Sequence, residues 1–166
     1  MIITIDGPSG AGKGTVAAYL ATKYNLHKLD TGLLYRAMAS ILLERHIEPD
    51  DTKSIHDIAK TLRIEDTNRE GLRTETVAAL ASKIAAIPEV RNVLNQIQKD
   101  FAFGNHEGYR GVILDGRDIG TVICPESPCK IYLTASQEVR ARRRVKEVLT
   151  NHAAPTESNI KNMALD

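Results

Sequence analysis

The sequence predicts an α/β domain with a mostly parallel central sheet and helices on both of its faces. Three observations predict it. Ile2, Ile3 and Ile5 make a short apolar run that enters a glycine-rich turn at Gly7 and leaves it as the helix-forming Val16-Ala17-Ala18-Tyr19-Leu20. Gly111-Val112-Ile113-Leu114 and Lys130-Ile131-Tyr132-Leu133 are two further compact apolar runs of strand length, the first ending in a polar, glycine-bearing loop. Between them lie apolar stripes at helical spacing. In sheets of this kind ligands bind at the carboxyl ends of the strands.

The first such end is Gly7-Pro8-Ser9-Gly10-Ala11-Gly12-Lys13-Gly14-Thr15. A loop of this composition turns backbone N–H groups inward and forms a concave anion site at a helix N-terminus, with the Lys13 charge at its mouth. The pattern is that of a phosphate-binding P-loop, G-x-x-x-x-G-K-[ST], with one difference. Gly14 stands where the hydroxyl residue usually follows the lysine, and the hydroxyl comes one place later at Thr15, so a direct Mg²⁺ ligand at the usual position is missing.

The elements follow in order. Ala17, Leu20, Ala21 and Tyr24 form the apolar stripe of a first helix that ends about Tyr24, with Asn25 as C-cap. Leu26 to Leu29 leads to Asp30 or Thr31, either of which can cap a second helix carrying Leu33, Leu34, Ala37, Met38, Ile41 and Leu42. Arg36 falls one turn into that helix, near its positive end, where a cation is misplaced unless an anion sits beside it or it is simply a solvated surface residue. Residues 47 to 73 are the most polar part of the chain. One short helix is expected over Ile55, Ile58, Ala59 and Leu62, and a small strand over Leu62 to Glu65. Two helices broken at Pro88 follow, one carrying Val77, Leu80, Ala81, Ile84 and Ala85, the other Val90, Val93, Leu94, Ile97 and Phe101. Ser82 and Arg91 lie off those stripes. The run at Gly111 ends in Asp115-Gly116-Arg117-Asp118-Ile119-Gly120-Thr121, a loop with four polar or charged residues and two glycines, either a site or merely a turn. After the last strand, Thr134 or Ser136 caps a helix with Val139, Val145, Val148 and Leu149 on one face. Arg140, Arg143 and Arg144 lie on the other, where they share an anion or form a solvated basic face.

Bulk properties exclude several classes. The 166 residues fit one domain, and 42% hydrophobic with 26% charged content is globular. A net charge of +1 speaks against a general nucleic-acid or membrane-surface binder. No apolar run approaches spanning length, and no signal peptide is expected where Asp6 interrupts the first apolar residues. Cys124 and Cys129, each beside a proline, have no recognised zinc spacing and are expected to be free thiols in a reducing cytosol.

Four segments together resemble the bacterial cytidylate kinases: Gly7 to Thr15, Leu29-Asp30-Thr31-Gly32-Leu33-Leu34-Tyr35-Arg36, Ser82 to Arg91, and Asp115 to Val122. The resemblance runs from Met1 to about Lys146. It implies a single P-loop kinase domain over 1–166, with 47–106 as a monophosphate-binding insertion and 140–166 as the start of an incomplete lid. The segment between Leu62 and Thr74 is shorter than the family usually has, and the family's arginine-rich lid, final strand and helix are absent from these 166 residues. The implied reaction is transfer of the ATP γ-phosphoryl group to CMP or dCMP by a cytoplasmic monomer, with no nucleic-acid polymer or membrane as partner.

By the same resemblance, Gly7, Pro8, Ser9, Gly10, Ala11, Gly12, Lys13, Gly14 and Thr15 bind ATP. Lys13, Arg36, Arg117, Arg140 and Arg143 are the catalytic set, and Thr31, Tyr35, Arg36, Ser82, Arg91, Arg117 and Asp118 hold the acceptor. Mg²⁺ comes with the ATP phosphates and water, Asp30 and Asp115 being outer-sphere partners. Two rivals stay open: a P-loop kinase for another small acceptor, and a nucleotide-binding protein with weak catalysis.

Overall fold

The computed structural model describes residues 1–151, with side chains through Lys146, so the side chains of Val148 and Leu149 and the part of the expected lid beyond 151 lie outside what is described. Four strands, β1 (Ile2–Asp6), β2 (His27–Asp30), β3 (Val112–Gly116) and β4 (Cys129–Tyr132), form one sheet in the order β2-β3-β1-β4. All three pairings are parallel. The central strands β1 and β3 are almost continuously buried, whereas β4 alternates, as expected of an edge strand.

Successive strand residues point to opposite faces, and the core divides accordingly. Ile3, Ile5 and Ile113 pack with Ala17 of α1 (Lys13–Tyr24) on one face. Leu29, Val112 and Leu114 join the larger cluster on the other face. That cluster is built from α2 (Thr31–Glu44), α3 (Thr52–Thr61), α4 (Glu75–Ile84) and α5 (Pro88–Phe103). Leu34, Met38, Leu42, Ile84 and Leu94 are fully buried there. The three-layer α/β arrangement is the one the sequence predicts.

The helix boundaries follow from local chemistry. Asn25 adopts the left-handed conformation (φ 52°) that closes α1, and Asp30 caps α2 by accepting from the Gly32 N–H at 3.1 Å. Pro88 occupies the first turn of α5. Of the two hydroxyls offered for α6 (Gln137–Asn151), Ser136 accepts from the Val139 N–H.

Three expectations need correction. Leu62 to Glu65 is not a strand: Leu62 closes α3, and Ile64–Asn68 forms a 3₁₀ turn. Asp66 accepts from the Arg63 N–H at 2.9 Å while its own N–H reaches the Arg63 carbonyl, so the backbone groups a strand would offer are spent locally. Tyr24 does not belong to the core of α1; it is exposed, with the Lys23 ammonium over its ring. Val139 is likewise exposed. Both cysteines are free, and burial raises the Cys124 thiol above its ordinary value.

At the amino ends of the strands a ring cluster ties the α5–β3 loop to β2. His27 Nδ1 lies 2.8 Å from His106 Nδ1, and His27 stacks on Tyr109 with centroids 4.7 Å apart. Burial first, and His106 second, holds His27 below the ordinary histidine value of 6.5. A histidine kept neutral in the fold takes up protons first in the unfolded chain, so its contribution is present above the ordinary value of 6.5 and shrinks as pH falls below it. Chemical denaturation as a function of pH is expected to show that decline, and His27→Phe, which keeps the ring stack, flattens it.

Candidate active site

Four strands end at one edge of the sheet, β1, β3 and β4 level at Asp6, Gly116 and Tyr132 and β2 one residue earlier at Asp30, opposite Asp115. The loop from Gly7 to Gly12 leaves from the middle of this edge. Its shape depends on glycine at two points. A side chain at Gly7 would start 1.9 Å from the Leu133 carbonyl oxygen, and Gly12 caps α1 in a left-handed conformation (φ 99°). Lys13 opens the helix, and its ammonium folds back to donate to the Pro8 carbonyl at 3.0 Å. Burial holds Lys13 below the ordinary lysine value; Asp115, Asp30 and Asp6 oppose that shift, and the nearby Arg117 adds to it.

Asp115 is the most perturbed group. Burial and then the neighbouring Asp30 carboxylate push it from 3.8 to about 6. Its Oδ1 is buried without a hydrogen-bond partner. Gly14, at the position of the usual hydroxyl, puts no side chain opposite, and even a methyl there would stand 3.9 Å from Asp115 Oδ2. An oxygen-only donor, an orphaned lone pair and open space beside the phosphate loop fit a hydrated Mg²⁺ held through its waters. Among the described residues no group of three potential ligands assembles a direct metal site.

The second loop faces the first. Thr31 Oγ1 donates to the Asp115 carbonyl at 2.9 Å, joining the start of α2 to the end of β3. Arg91 of α5 pairs with Asp118 at 2.8 Å, and Tyr35 lies beside them. Burial raises the Tyr35 hydroxyl, against Arg91 and with Asp118. Arg36 donates to the Leu72 carbonyl at 2.9 Å, tying α2 to the segment that precedes α4. A cleft of about 340 Å³, lined by Leu33, Arg69, Leu72, Arg73 and Thr74 among others, opens beside it. Ser82 is exposed on α4, and among the described residues no hydrogen bond or ion pair joins it to Arg91 or Asp118. Thr15 and Arg117 are exposed, and Pro8, Ser9, Gly10 and Ala11 complete the loop.

The arginines of α6 do not share an open face. Arg143 Nη1 donates to the Gly10 carbonyl at 3.2 Å and the Ala11 carbonyl at 2.8 Å, and Arg140 packs against Gly10 through its backbone and Cβ. Two residues were not singled out from sequence. Arg73 pairs with Asp30 at 3.6 Å; an arginine just before the Thr74 cap of α4 was its only signal. Asp6 accepts from the Ile119 and Gly120 N–H groups, and nothing local marks it.

A glycine-rich loop opening a helix between parallel strands, with its lysine among strand-end carboxylates and arginines, defines a P-loop phosphate-binding α/β protein. The family model described as Cytidylate kinase matches residues 3–164. A cytidylate kinase of Methylocella silvestris is 50% identical over 148 residues, 89% of this chain and 67% of that one. Those of Rhodospirillum rubrum and Caulobacter sp. are each 47% identical over 148 residues, covering 89% of this chain and 70% and 67% of theirs. The chain belongs to the cytidylate kinase family.

Asp115→Asn tests the electrostatic reading. The folded carboxyl titrates about two units above its unfolded value, so folding is penalised once the unfolded carboxyl ionises. The penalty is absent below pH ~4 and complete above pH ~6, at roughly 2–3 kcal/mol. The variant is therefore expected to be more stable than the parent by about that amount at pH 7 in nucleotide-free buffer, with the gap closing at pH 4, while turnover falls. Denaturant midpoints at the two pH values decide it.

Proposed function

We propose that the protein transfers the γ-phosphoryl group of ATP to CMP or dCMP, giving CDP or dCDP. Phosphoryl transfer asks little covalent chemistry of side chains, so the residues act by positioning and by charge stabilisation. Backbone N–H groups of Gly7 and of Ser9 to Gly14, with Lys13, hold the β- and γ-phosphates, and Thr15 contacts a phosphate oxygen. Asp30 and Asp115 would hold a hydrated Mg²⁺ through its waters, and when bound it would supply charge neutralisation for the transferring phosphates. Arg36 and Arg117, with planar forks that match a phosphate, fix the acceptor from two different elements, while Thr31, its hydroxyl spent on the Asp115 carbonyl, braces the strand end beside them. Arg140 and Arg143 contribute positive charge from the lid side.

The observation that carries the acceptor assignment is the Arg91–Asp118 pair beside Tyr35. Cytosine offers an amino donor and adjacent acceptors, which a carboxylate and a guanidinium complement; Ser82 is assigned as an additional polar contact. The pair is about a third to a half exposed, so it is worth little and opens at little cost when the base enters. The reading includes a cytoplasmic monomer with small-molecule partners only. Among the described residues no helix is long and apolar enough to cross a membrane.

Uracil would set a carbonyl oxygen against Asp118, a loss on the order of 2–4 kcal/mol, or about 30- to 800-fold in kcat/KM. Steady-state assays with ATP and CMP, dCMP or UMP are expected to show that preference in the parent and its collapse in Asp118→Ala. An unchanged CMP/UMP ratio would remove Asp118 from base recognition. Binding of ATP and CMP by calorimetry with background turnover would make the chain a binding protein instead.

A further inference from the structure

We infer that Asp6 is a positioning residue that holds the Arg117–Asp118 turn in register with the phosphate loop. It is the last residue of β1, one step before Gly7. By strand alternation its side chain leaves the face that Ile5 shares with α1 and enters the opposite one, where the chain turns after Asp118. There Asp6 Oδ1 accepts from the Ile119 N–H at 2.7 Å and Oδ2 from the Gly120 N–H at 2.8 Å. The carboxylate is only 7% exposed.

These two N–H groups open the π-helical turn Ile119–Ile123, whose first amides have no partner within the turn. A buried carboxylate is costly unless fully hydrogen-bonded, and buried amides are costly unless accepted. Each side satisfies the other, so the contact is specific in distance and direction.

The approach is close enough to require glycine at 120. A side chain there would start 2.8 Å from Thr4 Oγ1 and 3.2 Å from Asp6 Oδ2. The same residue also reaches the third strand end, since its main-chain carbonyl accepts from the Leu133 N–H at 2.8 Å. Asp6 thus sits between three loops: the phosphate loop that follows it covalently, the Arg117–Asp118 turn held by its carboxylate, and the segment after β4 held by its carbonyl. Moving the turn displaces Arg117 and Asp118 together while leaving the phosphate loop on its strand. The consequence is a role in acceptor geometry, separable from ATP binding. It rests on the acceptor assignment made above.

The variants that test this are Asp6→Asn and Asp6→Glu. Asp6→Asn keeps the shape but turns an N–H₂ toward one of the two amides. The folded variant is expected to raise KM for CMP and to lower the CMP/UMP ratio of kcat/KM, each on the order of tenfold to a hundredfold, and to raise KM for ATP by clearly less, since Asp6 is the last of the three carboxylates that support the Lys13 charge. Asp6→Glu, which keeps both acceptor oxygens, is expected to recover part of the CMP/UMP ratio. A folded Asp6→Asn protein with unchanged KM for CMP and unchanged preference overturns the proposal. So does an equal rise in both KM values, which is the mark of general damage.

Should the variants not fold, amide hydrogen exchange of the parent decides the contact. The Ile119 and Gly120 amides are expected to exchange as slowly as those of β1 and β3, and exchange at the rate of the neighbouring exposed Thr121 overturns it. If the parent phosphorylates neither CMP nor UMP, the functional reading fails, whereas the exchange experiment still reports on Asp6.

Discussion

Parallel registration at the carboxyl edge of the sheet is the constraint on which the site depends. β1 and β3 stop level with one another and β2 one residue earlier, and each ends in or beside an aspartate, so Asp6, Asp30 and Asp115 are brought to one edge by main-chain pairing alone. Side-chain alternation then separates them. Asp115 turns toward Gly14 and α1, and it feels the Asp30 charge; Asp6 turns the other way, into the polar turn after Asp118. A shift of one residue in β3 would exchange Asp115 with a neighbour of opposite facing and remove the acid from the phosphate loop.

Two buried carboxylates in one small region meet opposite fates. Both Asp6 oxygens are met by backbone N–H groups, and that residue acts as structure. Asp115 keeps one buried oxygen without a partner, and burial together with the Asp30 charge pushes it toward neutrality. An unsatisfied group of this kind is a stability cost that a protein tolerates where a ligand or ion supplies the missing partner. Lys13 is the complement: burial works against its charge, and three strand-end carboxylates work for it.

Sequence carried the parts of this arrangement that local chemistry determines. The glycine-rich loop, the Asn25 and Asp30 caps, Pro88 in the first turn of α5 and the apolar stripes of α4 and α5 are all short-range signals, and each appears where its residues imply. What escaped depends on contacts between distant segments. Asp6 reads as an ordinary strand end until Ile119 and Gly120, more than a hundred residues later, are brought to it. Arg143 reads as one member of a repelling cluster until the Gly10 and Ala11 carbonyls are placed under it. Leu62 to Glu65 failed for a different reason: its apolar residues suit a strand, but Asp66 captures the Arg63 N–H within the segment itself.

The polar groups around the site fall into a fixed frame and an exchangeable set, and burial separates them. Asp6, the Thr31 hydroxyl on the Asp115 carbonyl, and the close backbone approaches at Gly7 and Gly120 are buried contacts whose loss leaves an uncompensated group or a clash. The arginines are held more lightly. Arg91 has a carboxylate partner about a third exposed, while Arg143 donates to main-chain carbonyls of the phosphate loop. A phosphate oxygen is a better acceptor for a guanidinium than a neutral carbonyl, and an exposed ion pair is worth at most about 1 kcal/mol. Entering nucleotides can therefore recruit these side chains without disturbing the frame that carries them, and selectivity is left to the geometry that the frame imposes.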